Sequence, residues 1–268
     1  MGQATARKQR FLKDHPVCFF CASRNSVEID HVPSRECFRD GIGPEGYEFP
    51  ACYQCNHDPS QIEQAVAFYI GLGDFRNEYY SKKQMRKLAR GTANNTPHLA
   101  PKIFLSANEK RRAAREAGIT LQPGQSYADL PLALMPIGIE DAFRLFARRL
   151  TCALYYREVG HPLPPNFLIR TDMRRRTDPG FEMGVMSEIA SLMPTLVRAT
   201  RRNTSIGDQF LYRFGYSEAD HLFGYVAQIR DGCLIFGSAV APGHPDITDE
   251  EDWDPHHGDF RLPGPTAP

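Results

Sequence analysis

Seven cysteines occur in the chain, and five of them fall between positions 18 and 55. Four form two short steps, Cys18-Phe19-Phe20-Cys21 and Cys52-Tyr53-Gln54-Cys55. A Cys-x-x-Cys turn directs both sulfurs at one point, and two such turns complete the tetrahedral shell of a zinc ion. With Cys18, Cys21, Cys52 and Cys55 all supplying sulfur, that zinc would be structural, because no position stays open for water. The plainer alternative, two chance pairs of buried thiols, fits the spacing less well. Cys37, Cys152 and Cys233 stand apart from the pattern and read as buried thiols.

Structural zinc accounts for the cysteines but not for "DHVPSRECF", residues 30 to 38, which lies between the two steps. "VEIDH" reads as a short strand ending in Asp30 and His31, and "EFPAC" as a second strand running into Cys52. Asn56 and a helix follow directly. A zinc ion would then pin strand, loop, strand and helix so that Asp30, His31 and Asn56 converge.

In this order (CxxC, DH-x-P, "PACxxCN", helix) residues 16 to 70 resemble the HNH, or ββα-metal, endonucleases of the zinc-stapled kind. The resemblance implies that Asp30 and Asn56 hold one catalytic divalent cation, magnesium or manganese. It also implies that His31 is the general base toward the attacking water. Those types suit the chemistry: a hard cation takes oxygen ligands and polarises a phosphoryl oxygen, while an imidazole near its ordinary pKa of about 6.5 accepts a proton at neutral pH. The implied activity is hydrolysis of DNA phosphodiester bonds to 5′-phosphate and 3′-hydroxyl ends, in a bacterium, phage or mobile element. Two positions depart from the family. Its middle Asn, which orients the base, falls on Tyr47, with Glu48 beside it. After Asn56 comes His57, a further candidate for a metal ligand or phosphate contact, or simply a polar residue at a helix start. Replacement of the middle Asn keeps a second reading open: a catalytically inactive, zinc-stabilised nucleic-acid-binding or adaptor module.

These residues need elements to hold them. Residues 1 to 14 read as a basic helix or arm with Arg7, Lys8, Arg10 and Lys13. A helix is expected from Asp58 as N-cap and Pro59 at the first helical position, with Ile62, Val66, Tyr69 and Ile70 on its apolar face and Gly71 or Gly73 at its end. "RNEYYSKKQMRKLAR" reads as a second helix stopping at Gly91, with Lys82, Lys83, Arg86, Lys87 and Arg90. "SANEKRRAAREAG" reads as a third, with Lys110, Arg111, Arg112 and Arg115. Both are candidates for phosphate contacts, against the ordinary alternative that a charged helix face is only solvated. Residues 119 to 136 read as a linker. "IEDAFRLFARRLTCALYYREVG" places Phe143, Phe146, Leu150, Ala153 and Leu154 at helical spacing and ends at Gly160, as a core helix does. Alternating aromatics in "DQFLYRFGYS" and "HLFGYVAQI", then Asp231-Gly232 and "CLIFGSA", predict an antiparallel meander.

The expected fold is therefore α+β: a zinc-bound HNH-like module over residues 1–75, basic helices and linker over 76–130, a helix-plus-meander unit over 131–245, and an acidic, disordered tail over 246–268. A chain of 268 residues is long enough to bury a substantial core. Net charge is zero, but residues 246–268 hold seven of the 32 acidic residues and one of the 32 basic ones, which leaves the body at +6. A basic body suits a polyanion, DNA above all, although a solvated surface accounts for the charge equally well. His256-His257 beside the acidic run could bind metal, with a disordered tail the plainer account. No stretch approaches the ~20 apolar residues of a membrane span, and the start lacks a signal peptide's apolar centre, so the expected location is cytoplasmic. Symmetric cutting of both strands by a one-site fold would require a homodimer.

Overall fold

The computed structural model describes residues 3–72, 81–102, 105–116, 118–121, 124–130, 132, 134–175, 193–202, 206–245, 247 and 253–256. Helix α1 (Gln3–Asp14) leads into the first cysteine turn, followed by strands β1 (Glu28–His31) and β2 (Glu48–Ala51). The two strands pair antiparallel with His31 opposite Glu48. Short helix α2 (Tyr53–His57) and then α3 (Ser60–Leu72) follow, joined by a turn at Asp58 and Pro59. The expected cap at Asp58 does not form. Asp58 is itself helical (φ −60°, ψ −41°) and its N–H donates to Gln54 O, so α2 and α3 run on almost continuously. The apolar face of α3 is as expected, with Ile62, Val66, Tyr69 and Ile70 all buried. Gly73 lies outside the described residues.

Helix α4 (Lys82–Asn95) begins at Ser81, whose hydroxyl accepts the Gln84 N–H, and residues 76–80 of the expected helix lie outside the described residues. It does not stop at Gly91. A Cβ there would stand 2.3 Å from the Gln64 amide, so the glycine makes room for α3 to lie close and is not a terminator. Helix α5 (Ala107–Glu116) opens with a reciprocal cap: Glu109 N donates to Ser106 Oγ and Ser106 N to Glu109 Oε2. Within the expected linker, a 3-10 turn forms at Tyr127–Asp129 and Leu134 bridges to Lys102.

Helix α6 (Ile139–Val159) is buried along most of its length and ends at Gly160 in the left-handed conformation (φ +93°), as the sequence predicts. It packs on an antiparallel six-stranded sheet made of β3 (Leu168–Arg175), β4 (Thr195–Arg198), β5 (Phe210–Ser217), β6 (Leu222–Ile229), β7 (Cys233–Val240) and β8 (Asp254–Pro255). Their order is β4-β5-β6-β7-β3-β8. Strands β5, β6 and β7 are the expected meander, and Phe210, Tyr212, Phe223, Tyr225, Ala227 and Ile229 are fully buried by their two-residue period. The final turn has three residues, 230 to 232, and the left-handed one is Arg230 (φ +56°), not the glycine.

One connected core runs from the cysteine turns through α3 and α6 to the sheet. Cys37, Cys152 and Cys233 belong to it, as expected of buried thiols. Most of the acidic tail and His257 lie outside the described residues. His256, expected in a disordered tail, is instead buried: its N–H donates to Phe167 O (2.8 Å) and its ring meets Phe20 edge-on at 6.0 Å. Pairing of β8 with β3 draws the chain back to the fold at that point. Among the described residues, no helix is long and apolar enough to cross a membrane.

Candidate metal centre and adjoining cavity

The sulfurs of Cys18, Cys21, Cys52 and Cys55 all lie within 4.8 Å of one another, and all four residues are buried. Local geometry explains how. The β1–β2 pair carries the second cysteine step back beside the first, and Phe19 N donates to Pro50 O (2.8 Å) across the two segments. Cys52 then caps α2, its sulfur accepting the Cys55 N–H at 3.5 Å. Four thiols this close cannot all ionise unaided. The hydrogen bond shared with Cys21 pushes Cys18 up to about 11, the same contact takes Cys21 far below the usual thiol range, and contact with Cys18 drives Cys55 upward. A divalent cation resolves that conflict by stabilising every thiolate together. The donor set, its burial and its spacing are those of a structural metal such as zinc.

A cavity of about 410 Å³ is lined by Asp30, His31 and Asn56, the last of which follows Cys55 directly in the chain. The three residues singled out in the sequence are thus brought together. Each also has a protein partner. Asp30, 7 % exposed, accepts the His31 N–H on Oδ1 (2.7 Å) and Arg149 Nη2 on Oδ2. Asn56 Nδ2 donates to Glu28, which leaves the Asn56 carbonyl oxygen for another partner. That hydrogen bond is also the chief reason the Glu28 carboxyl sits below its ordinary range. His31 Nε2 receives Arg35 Nη2 and lies 3.6 Å from Glu48 Oε1. Burial first, and Arg35 second, lower the pKa of His31 and favour its neutral form.

Arg149 was not visible as a site residue in the sequence. It projects from α6, is 1 % exposed, and bridges Asp30, Glu63 (Nε to Oε1, 2.7 Å) and the Cys55 carbonyl. Burial acts to lower its pKa, but the two carboxylates more than reverse this and raise it. Glu63, buried at the edge of the cavity, is pushed up to about 7 by burial despite that partner. Two adjacent arginines inside an otherwise apolar helix face, Arg148 and Arg149, were the available signal. Glu63, on the apolar face of α3, was another.

Tyr47 occupies the position expected for an orienting Asn, but its side chain lies in the core, edge-on to Phe210 at 5.4 Å and beneath the Arg157 guanidinium at 4.2 Å. Alternation along β2 leaves Glu48 on the other face, beside His31. His57 is half-exposed, with Nε2 3.3 Å from Glu28, and does not join the four-cysteine cluster.

Of the basic residues, Lys82, Lys83, Arg86 and Lys87 lie exposed on α4. Lys87 pairs at 2.7 Å with Glu36, which lines the cavity, so this basic face adjoins the rim. Arg111 and Arg112 on α5 are not among the lining residues: Arg111 lies 5.7 Å over the Tyr127 ring and Arg112 pairs with Glu116 at 3.4 Å. Compared with family models, with curated proteins and with solved structures, the chain matches none.

Proposed function

We propose that the protein is a metal-dependent endonuclease of the HNH type, built on a structural zinc held by Cys18, Cys21, Cys52 and Cys55. The observation behind this reading is that Asp30, His31 and Asn56 line one cavity, with Asn56 next in the chain to Cys55 of the four-cysteine cluster. Oxygen donors there suit a hard cation. Asp30 and the carbonyl oxygen of Asn56 would hold magnesium or manganese, with Glu28 turning the Asn56 amide so that its oxygen is presented. When bound, the cation would supply Lewis-acid stabilisation of the phosphoryl and leaving 3′ oxygens.

The remaining work falls to the protein's own groups. Burial and Arg35 favour the neutral form of His31, and the Nε2 lone pair, to which Arg35 donates, is the one that would accept a proton from the attacking water. Because Arg35 donates to Nε2, the proton of the neutral ring sits on Nδ1. Glu48 Oε1, 3.6 Å from Nε2, would favour the imidazolium formed when His31 takes the proton, while Tyr47, in the core, does not perform the orienting task of the family's middle Asn. The exposed basic residues of α4, of which Lys87 reaches the rim through Glu36, would offer charge to the DNA backbone.

One observation favours the alternative, an inactive nucleic-acid-binding or adaptor module: Arg149 and the His31 N–H engage both oxygens of Asp30. Nicking of supercoiled plasmid in Mg²⁺ or Mn²⁺ separates the two. Metal-dependent nicking that is lost in His31→Ala and restored when cation is added back after chelation supports the nuclease. Equal inertness of wild type and His31→Ala, in protein that retains zinc, favours the binding module.

A further inference from the structure

Outside the cavity, α2 presents an aromatic pair with no role in the chemistry above. Tyr53 is 60 % exposed, and its ring stacks on His57 with centroids 4.2 Å apart and planes inclined by 21°. The pair is tethered to the site from behind. His57 Nε2 lies 3.3 Å from Glu28, the carboxylate that also takes the Asn56 amide. Tyr53 itself follows Cys52, so its backbone is anchored by the cysteine cluster. One face of the phenol ring is covered by the imidazole, and Tyr53 stays 60 % exposed.

A planar ring held this way suits another flat, polarisable ring, and the surrounding groups indicate its source. Exposed Lys8 on α1 lies close enough to Glu28 for its charge to act there, while Arg35 and the basic face of α4 border the cavity. An exposed aromatic joined through Glu28 and Asn56 to a cavity that carries cationic groups is the pairing that single-stranded nucleic acid requires, phosphates to the charges and base to the ring. Bases inside a duplex are stacked on each other and show only their edges. We propose that Tyr53, backed by His57, is a stacking platform for an unpaired nucleobase, so that the preferred substrate is single-stranded or locally unpaired nucleic acid. This rests on the nuclease reading only for the position of the phosphate in the cavity, since stacking itself requires no cleavage.

The test uses the full zinc-loaded chain without added Mg²⁺ or Mn²⁺, and fluorescence anisotropy with labelled oligothymidine, oligouridine and a DNA duplex of equal length. Tyr53→Ala should weaken single-strand binding about tenfold, Tyr53→Phe should preserve it, and duplex binding should change little. DNA and RNA arms then separate the two sources of an unpaired base. A direct signature comes from Tyr53→Trp combined with Trp253→Phe, which removes the chain's one native tryptophan. Its fluorescence should be quenched by the single strand and not by the duplex. Absence of single-strand binding by wild type, an unchanged Tyr53→Ala, or equal losses on strand and duplex would each overturn the platform. The plasmid assay stands apart. His31-dependent nicking with an unaffected Tyr53→Ala removes the platform and keeps the nuclease, whereas quenching without any cleavage keeps the platform on a binding module.

Discussion

Arg149 is the residue on which the site's electrostatics turn. A buried guanidinium between Asp30 and Glu63 holds two carboxylates that would otherwise be uncompensated in the interior. Arg149→Met keeps the volume and removes the charge, and should destabilise the fold by about 3–5 kcal/mol, as removal of one partner from a buried pair does. The loss should depend on pH in a definite direction. Glu63 already has a folded-state value raised to about 7 by burial, above its ordinary 4.5, and losing its cation raises it further. A carboxyl raised in the folded state contributes stability below its unfolded value and loses it as pH rises through the folded one. The melting-temperature gap between wild type and Arg149→Met should therefore be narrow near pH 5 and wide near pH 8. A gap that does not change with pH would mean that packing, not charge, accounts for the loss. None of this could be read locally, because Arg149 is 119 residues from Asp30 along the chain.

At the scale of elements, the contact between α6 and the sheet depends on a missing side chain. A Cβ at Gly237 of β7 would stand 2.3 Å from the Tyr225 ring and 2.5 Å from Thr151 Oγ1, and both neighbours are fully buried. Gly237→Ala should cost about 1–3 kcal/mol by overpacking, read as a lower denaturation midpoint. Little loss would show that Tyr225 can move aside. The element types were largely legible in advance. Helix α6 and strands β5, β6 and β7 follow from apolar periods of 3.6 and 2, which express which face is buried. Their ends were less so. Gly91 looked like a helix stop, and only the approach of Gln64 from α3 reveals it as a packing position; Asp58 looked like a cap, and the continuity of α2 into α3 made it helical.

For the whole molecule, the cysteine cluster is not a peripheral staple, since its residues are continuous with the core that includes α6 and the sheet. Stripping zinc should therefore lower the stability of the entire chain, and calorimetry of chelated protein should show a single transition at reduced temperature. Metal analysis should give one zinc per chain, lost in Cys55→Ser. Independent melting of the sheet at an unchanged temperature would show instead that the two parts fold separately. Spacing along the chain was enough to expect the gathering of Cys18, Cys21, Cys52 and Cys55, the grouping of Asp30, His31 and Asn56, the buried face of α6 and the aromatic meander. Each is written in spacings of a few residues, where backbone geometry alone directs side chains to one point or one face. Tertiary structure alone decided that Tyr47 is core and Glu48 stands by the imidazole, that His256 is buried against Phe20, and that Arg149 reaches Asp30 and Glu63. Those outcomes depend on which distant surfaces meet, and a buried charge finds its partner only when packing has removed water from both.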